Sequence, residues 1–356
     1  MALSKLRLAI LIFGPVPIVA ASLAVTHWVR SDAPPPLSHN TVDRPESRDV
    51  AYGDAGSPTL VKASTKPVKK SAATKPLASG AKTSVKPAVA AAPLSKLDKA
   101  CSQTASRLEK QLGRQCHVIV RSPFVIGGDM EEKELEEWYN DTIGPAAKAM
   151  ANCYFRVAPS QPITVLLFNG EQSYNYFADK LFNEAGISIY GYYKPNVRTL
   201  VMNISTGGGT LVHELTHALM DFDFPKVPDW FNEGLASLHE QCNFQQDRNG
   251  PWIEGQINWR LPGLQEAIRR DRLRSLKSLV EENDFRGKLE GTNYAQARYF
   301  CLYMQEQGVL RDYFRTFRDS VQDDPRGVQA VTSVFPDKSW EELDSDFQAW
   351  VMTLKR

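Results

Sequence analysis

The chain has 356 residues, 42% of them hydrophobic and 23% charged, with a formal net charge of +1. It is too long for one average domain, and its composition is ordinary for a globular enzyme. The charge is unevenly spread: the first 97 residues hold 13 basic side chains against five acids, which leaves −7 for residues 98–356 and excludes a nucleic-acid footprint there.

Lys5 and Arg7 precede an uncharged run from Leu8 to Val29, closed by Arg30. Residues 1–30 therefore read as an export signal or an N-terminal membrane anchor, with the rest of the chain placed outside the cytoplasm, in the periplasm or cell envelope. Ser22-Leu23-Ala24 is a small-x-small cleavage signal. The run is also long enough to cross about 30 Å of hydrocarbon, and a tether follows, which favours retention. Gly14, Pro15 and Pro17 weaken a helix but are tolerated in bilayers. Residues 31–96 are dominated by Pro, Ala, Lys, Ser and Thr, with a loose repeat at Lys66-Pro67, Lys75-Pro76 and Lys86-Pro87. Such a segment is expected to be a disordered, solvated spacer, or a basic arm for anionic polymer or lipid headgroups.

The folded part is expected over residues 97–356. A helix from Leu97, with Leu108 and Leu112 on one face, leads into the β-rich run HVIVRSPFV, 117–125. MEEKELEEWYNDTIGPAAKAMANCY, 130–154, is a long helical pattern with acids in its first turns. ITVLLF, 163–168, has the length of a strand, a helix follows over 174–182, and 189–205 reads as two strands parted by Pro195-Asn196. Helices are then expected at 209–222, 229–242, 262–272, 275–283, 292–307, 309–320, 326–334 and 339–354. Sheet first and helices second predicts an α+β domain: a small mixed sheet carrying helices, then a mostly helical half, with the site where they meet.

None of the five cysteines makes a CxxC, which argues against a thiolate metal site. In an exported protein Cys101–Cys116 and Cys153–Cys242 is one of three possible pairings, leaving Cys301, within ARYFCLYM, as a buried thiol.

The stretch TLVHELTHALM, 210–220, carries the chemistry. His213 and His217 are four apart and share one helix face, so both imidazoles can bind one metal ion at roughly 2.0–2.1 Å. Glu214, one step round, can reach a metal-bound water without being a ligand, as a general base must. Thr210, after three glycines, is a candidate N-cap, and Leu211, Val212, Leu215, Ala218 and Leu219 form an apolar back face. The competing reading is a helix with two core or surface histidines. Catalytic zinc takes three protein ligands and one open position, and Glu233 in PDWFNEGLASLHE can face back from a second helix opened by Pro228-Asp229. Asp223 has the HExxHxxGxxD spacing, but Met220 stands where that pattern needs its glycine. His239 reads as a surface or capping histidine, and Glu240 has no motif behind it.

HELTHAL followed by PDWFNEGLA resembles the gluzincins, the thermolysin-like zinc metallopeptidases, and in detail the peptidase-MA-like branch found in exported bacterial proteins. Gly191-Tyr192-Tyr193 and Tyr294-Ala295-Gln296-Ala297 are similar to the strand and helix that flank the zinc blocks in that branch, so the resemblance covers roughly residues 115–350. It implies one Zn2+ per chain held by His213, His217 and Glu233, Glu214 as base and proton shuttle, and a peptide or protein substrate. The family places an acid four residues after its ligand Glu to orient the first histidine; here that position is Ser237. An oxyanion donor is also implied, with Tyr294 the candidate and Tyr299 and Tyr193 behind it. A substrate strand would pair with the edge of 189–194 or 198–204. GGDMEE, 127–132, is similar to the box that holds a free N-terminus in gluzincin aminopeptidases, but it lies far from the zinc helix, and 189–204 contains no acid, so endopeptidase is expected. Two alternatives stay open: an envelope scaffold that binds a partner without chemistry, and a zinc hydrolase acting on a non-peptide amide.

Overall fold

The apolar runs of the first half become strands covered on both faces. The structure, a computed structural model, describes residues 95–356; the expected signal or anchor and all but the last two residues of the expected linker lie outside the described residues. Helix α1 (Lys96–Leu112) starts on a capping box in which Ser95 Oγ accepts from the Asp98 N–H at 3.0 Å and the Asp98 carboxylate accepts from the Ser95 N–H at 3.2 Å. The predicted run 117–125 is two strands, β1 (His117–Arg121) and β2 (Phe124–Gly128), folded antiparallel about Ser122-Pro123. The helical pattern at 130–154 becomes α2 (Glu132–Trp138), a π turn over Tyr139–Ile143, and α3 (Gly144–Cys153). Pro145, which offers no backbone donor, stands just after that join.

Next come β3 (Ile163–Phe168), α4 (Glu171–Phe182), β4 (Gly191–Lys194) and β5 (Thr199–Asn203). The sheet order is β1-β2-β3-β5-β4, with β2, β3 and β5 parallel and the outer strands antiparallel to their neighbours. Ile163, Val165, Leu167, Leu200 and Met202 enter the larger core, while Leu166, Phe168 and Val201 meet Leu108, Leu112 and Phe177 from α1 and α4. Burial on both faces is why ITVLLF has no polar alternation.

The second half supplies α5 (Gly208–Asp223), α6 (Asp229–His239), a hairpin of β6 (Cys242–Asp247) and β7 (Gly250–Gly255), then α7 (Leu261–Arg269), α8 (Leu276–Glu281), α9 (Glu290–Glu306), α10 (Leu310–Ser320), α11 (Val328–Val334) and α12 (Trp340–Thr353). Each helix expected beyond residue 208 is present, and the architecture is mixed α and β with a mixed sheet. The hairpin is new, although Asn249-Gly250 at its turn is a strong local signal. One correction concerns the start of α5: Gly207 is its N-cap, and Thr210 lies inside the first turn.

All five cysteines are free, which corrects the proposed pairing. Cys101 faces Ser122 and Pro123 from the early part of α1, whereas Cys116 lies beyond the far end of that helix. Eleven residues of helical rise, about 16 Å, separate Cys101 from Leu112, well beyond disulfide reach. Cys301 is buried and free, as expected. Among the described residues, no helix is long and apolar enough to cross a membrane.

Candidate metal centre

Two close helix contacts place the candidate ligand residues. A Cβ on Gly209 would stand 2.5 Å from the Glu240 backbone oxygen, so a side chain there would push the first turn of α5 away from the end of α6. A Cβ on Gly234 would stand 3.0 Å from the Ala297 oxygen and 3.1 Å from Cys301 Sγ, which sets how closely α6 seats on α9. The apolar faces of α5 and α6 are buried, and their polar faces turn toward each other.

There His213, His217 and Glu233 converge. His213 Nε2 and His217 Nε2 are 3.1 Å apart, and Glu233 Oε2 lies 3.3 Å from the first and 3.6 Å from the second. Three atoms bound to a tetrahedral ion at about 2.0–2.1 Å stand about 3.3 Å from one another. Glu233 Oε2 is buried and accepts no hydrogen bond. Two imidazole nitrogens and an orphaned carboxylate oxygen at this spacing fit a metal ion, and these residues could hold one.

Each of these candidate ligands is also contacted from behind. His217 Nδ1–H donates to Asn232 Oδ1 at 2.8 Å, which turns Nε2 toward the centre. His213 Nδ1 faces Glu240 Oε1 at 3.3 Å. Glu240 in turn accepts from Arg260 Nη2 at 3.0 Å and from Asn258 Nδ2 at 3.3 Å. Thus Glu240, which carried no motif, faces the first histidine, whereas Ser237 is buried with its hydroxyl unpartnered. Glu233 Oε1 accepts from Arg286 Nη2 at 2.5 Å. Asn232, Glu240, Arg260 and Arg286 were missed in the sequence.

The charges follow from this packing. Burial would lower the His213 pKa, but contacts with Glu233 and Glu240 outweigh it and hold it up to about 10. Burial likewise opposes the upward pull of Glu233 on His217, and the pull wins. Burial would raise Glu240, but the Arg260 charge and His213 bring it down to about 2. Glu214 is raised by burial, against the charges of both histidines and a backbone N–H bond from Tyr193 on β4.

The rival residues go elsewhere. Asp223 accepts from the backbone N–H groups of Arg156 and Val157 at 2.9 and 2.7 Å and pairs with Arg318 Nη1 at 2.8 Å. His239, expected at the surface or as a cap, is buried: Thr216 Oγ1 donates to the Val212 oxygen at 2.8 Å, and His239 Nδ1–H donates to Thr216 Oγ1 at 3.1 Å. Tyr299 is buried, and its hydroxyl bonds the Asn258 backbone N–H and oxygen at 3.1 and 3.2 Å, fixing the loop that carries Arg260. Tyr193 lies on β4 beside Asp221. Tyr294 is buried on α9, and its hydroxyl oxygen accepts from Arg286 Nη1 at 3.0 Å. The strand expected at 198–204 is interior; β4 is the sheet edge next to α5. In GGDMEE, Asp129 accepts from the Asn169 N–H at 2.8 Å and Glu131 forms a capping box with Glu134, so these two of its three acids serve local structure.

No protein-family model matches this chain, and no curated protein matches it.

Proposed function

We propose that the chain is a zinc endopeptidase of the gluzincin type, acting on peptide bonds outside the cytoplasm. One observation carries the reading: Glu233 Oε2, buried and unpartnered, stands 3.3 and 3.6 Å from two imidazole nitrogens on the neighbouring helix, with Glu214 beside them in sequence. A mixed N, N, O donor set of three suits catalytic zinc, which takes three protein ligands and one further position. When bound, zinc supplies a Lewis acid for the scissile carbonyl and lowers the pKa of water toward about 7.

The chain's own residues do the rest. His213, His217 and Glu233 hold the ion. Glu214 takes the proton of the attacking water, which its upward pKa shift favours, and returns it to the leaving amine. Tyr294 is the candidate donor to the developing oxyanion. Its oxygen accepts from Arg286, and a phenol polarised by a guanidinium is a stronger donor. The edge of β4 offers backbone groups on which an extended peptide can pair.

Glu214→Gln tests the reading. The amide is near-isosteric but cannot accept a proton, so peptide cleavage by the full-length protein should fall by about 10²–10⁴-fold while zinc content stays at one per chain. Unchanged cleavage, or full complementation of a deletion strain by Glu214→Gln with zinc retained, would leave a partner-binding scaffold as the better account.

A further inference from the structure

We propose that Arg286 is a positioning residue that limits Glu233 to one coordinating oxygen and so keeps the fourth metal position open. The inference rests on the metal-centre reading above and adds a residue that the sequence motif does not contain.

The two oxygens of Glu233 have different environments. Oε2 is buried, unpartnered and turned to both histidines, whereas Oε1 accepts from Arg286 Nη2 at 2.5 Å. A carboxylate left to itself can place both oxygens on a metal and occupy one position more. A guanidinium on Oε1 takes up the lone pair that the second bond would need.

Arg286 is itself fixed on three sides. Its Nε lies 3.3 Å from Asp229 Oδ2 at the start of α6, and its Nη1 donates to the Tyr294 hydroxyl oxygen at 3.0 Å and lies 3.6 Å from Glu290 Oε1. Both Nη groups and Nε are thus engaged, so the guanidinium cannot swing out to a substrate without breaking these contacts. It acts through Glu233 and Tyr294 and not on the substrate. An ordinary surface ion pair would affect stability alone; this one predicts a change in coordination number.

The test uses the full-length protein loaded with zinc or, as a spectroscopic probe, cobalt(II). Zinc affinity is read by competition with a chromophoric chelator, and the visible cobalt bands report four against five ligands. Arg286→Ala should weaken zinc by about tenfold or more and shift the cobalt spectrum to the weaker bands of five-coordination. Arg286→Lys, which returns a charge without the fork, should fall between, and the melting temperature of the metal-free variants should stay near that of the parent. A wild-type cobalt spectrum in Arg286→Ala overturns the inference whether or not affinity changes, and leaves the metal centre standing. Failure of the parent protein to bind either metal overturns both.

Discussion

Glu240 stands seven positions after Glu233, two helical turns along the same face, and this puts its carboxylate behind His213. Nothing in the local sequence marks it, because its partners Asn258 and Arg260 arrive from beyond the β6–β7 hairpin. Glu240→Gln keeps an acceptor but removes the charge, so zinc affinity in chelator competition should drop by about tenfold. Unchanged affinity would mean that α5 alone orients His213. A second residue makes a pH prediction. Burial, followed by the nearby His213 and Arg298 charges, holds His239 down to about 3. The unfolded chain takes up this proton as pH falls below about 6.5 and the folded protein does not, so stability present above that value is lost on acidification. The loss amounts to at most about 1.4 kcal/mol per pH unit. Urea unfolding of chelated protein at pH 7, 6 and 5 should show a shallower slope for His239→Gln, and equal slopes would refute the assignment.

At the scale of elements, the site depends on the seat of α6 against α9. Gly234 lies next to Glu233, and even one carbon there meets the Ala297 oxygen at 3.0 Å and Cys301 Sγ at 3.1 Å. Gly234→Val should cost about 1–3 kcal/mol through overpacking and should also lower zinc occupancy, since relief of the clash moves Glu233. A stable variant with full zinc would show that the contact has slack. The sheet was legible because strands covered on both faces must be apolar throughout, as in β3. What pattern reading could not supply was the break of 117–125 into two strands, since hairpin and single strand look alike in residue type.

For the whole molecule, the metal ion would bridge α5 and α6 across the larger core. An ion that binds only the folded state raises stability by mass action, about 2.7 kcal/mol at a hundredfold excess over Kd, or roughly 5–10 °C for a domain of this size. Chelation should lower the melting temperature by that order while leaving the far-ultraviolet helical signal in place, because both helices are packed into the larger apolar core. Collapse of the helical signal on chelation would instead make the ion structural.

Sequence by itself determined the ligand candidates His213, His217 and Glu233 and the helices that carry them, because HExxH spacing and helical periodicity are local properties of the chain. Only tertiary structure decided what stands behind each ligand. Asn232 is adjacent to a candidate ligand and could have been suspected, but Glu240, Arg260 and Arg286 serve the site through contacts between 20 and 53 residues apart. Tertiary packing also buried His239 and gave Asp223 to Arg318, two outcomes that residue type and spacing leave open. The physical reason is the same in each case: a side chain's pKa and partners are set by what packs against it, and that is a property of the fold.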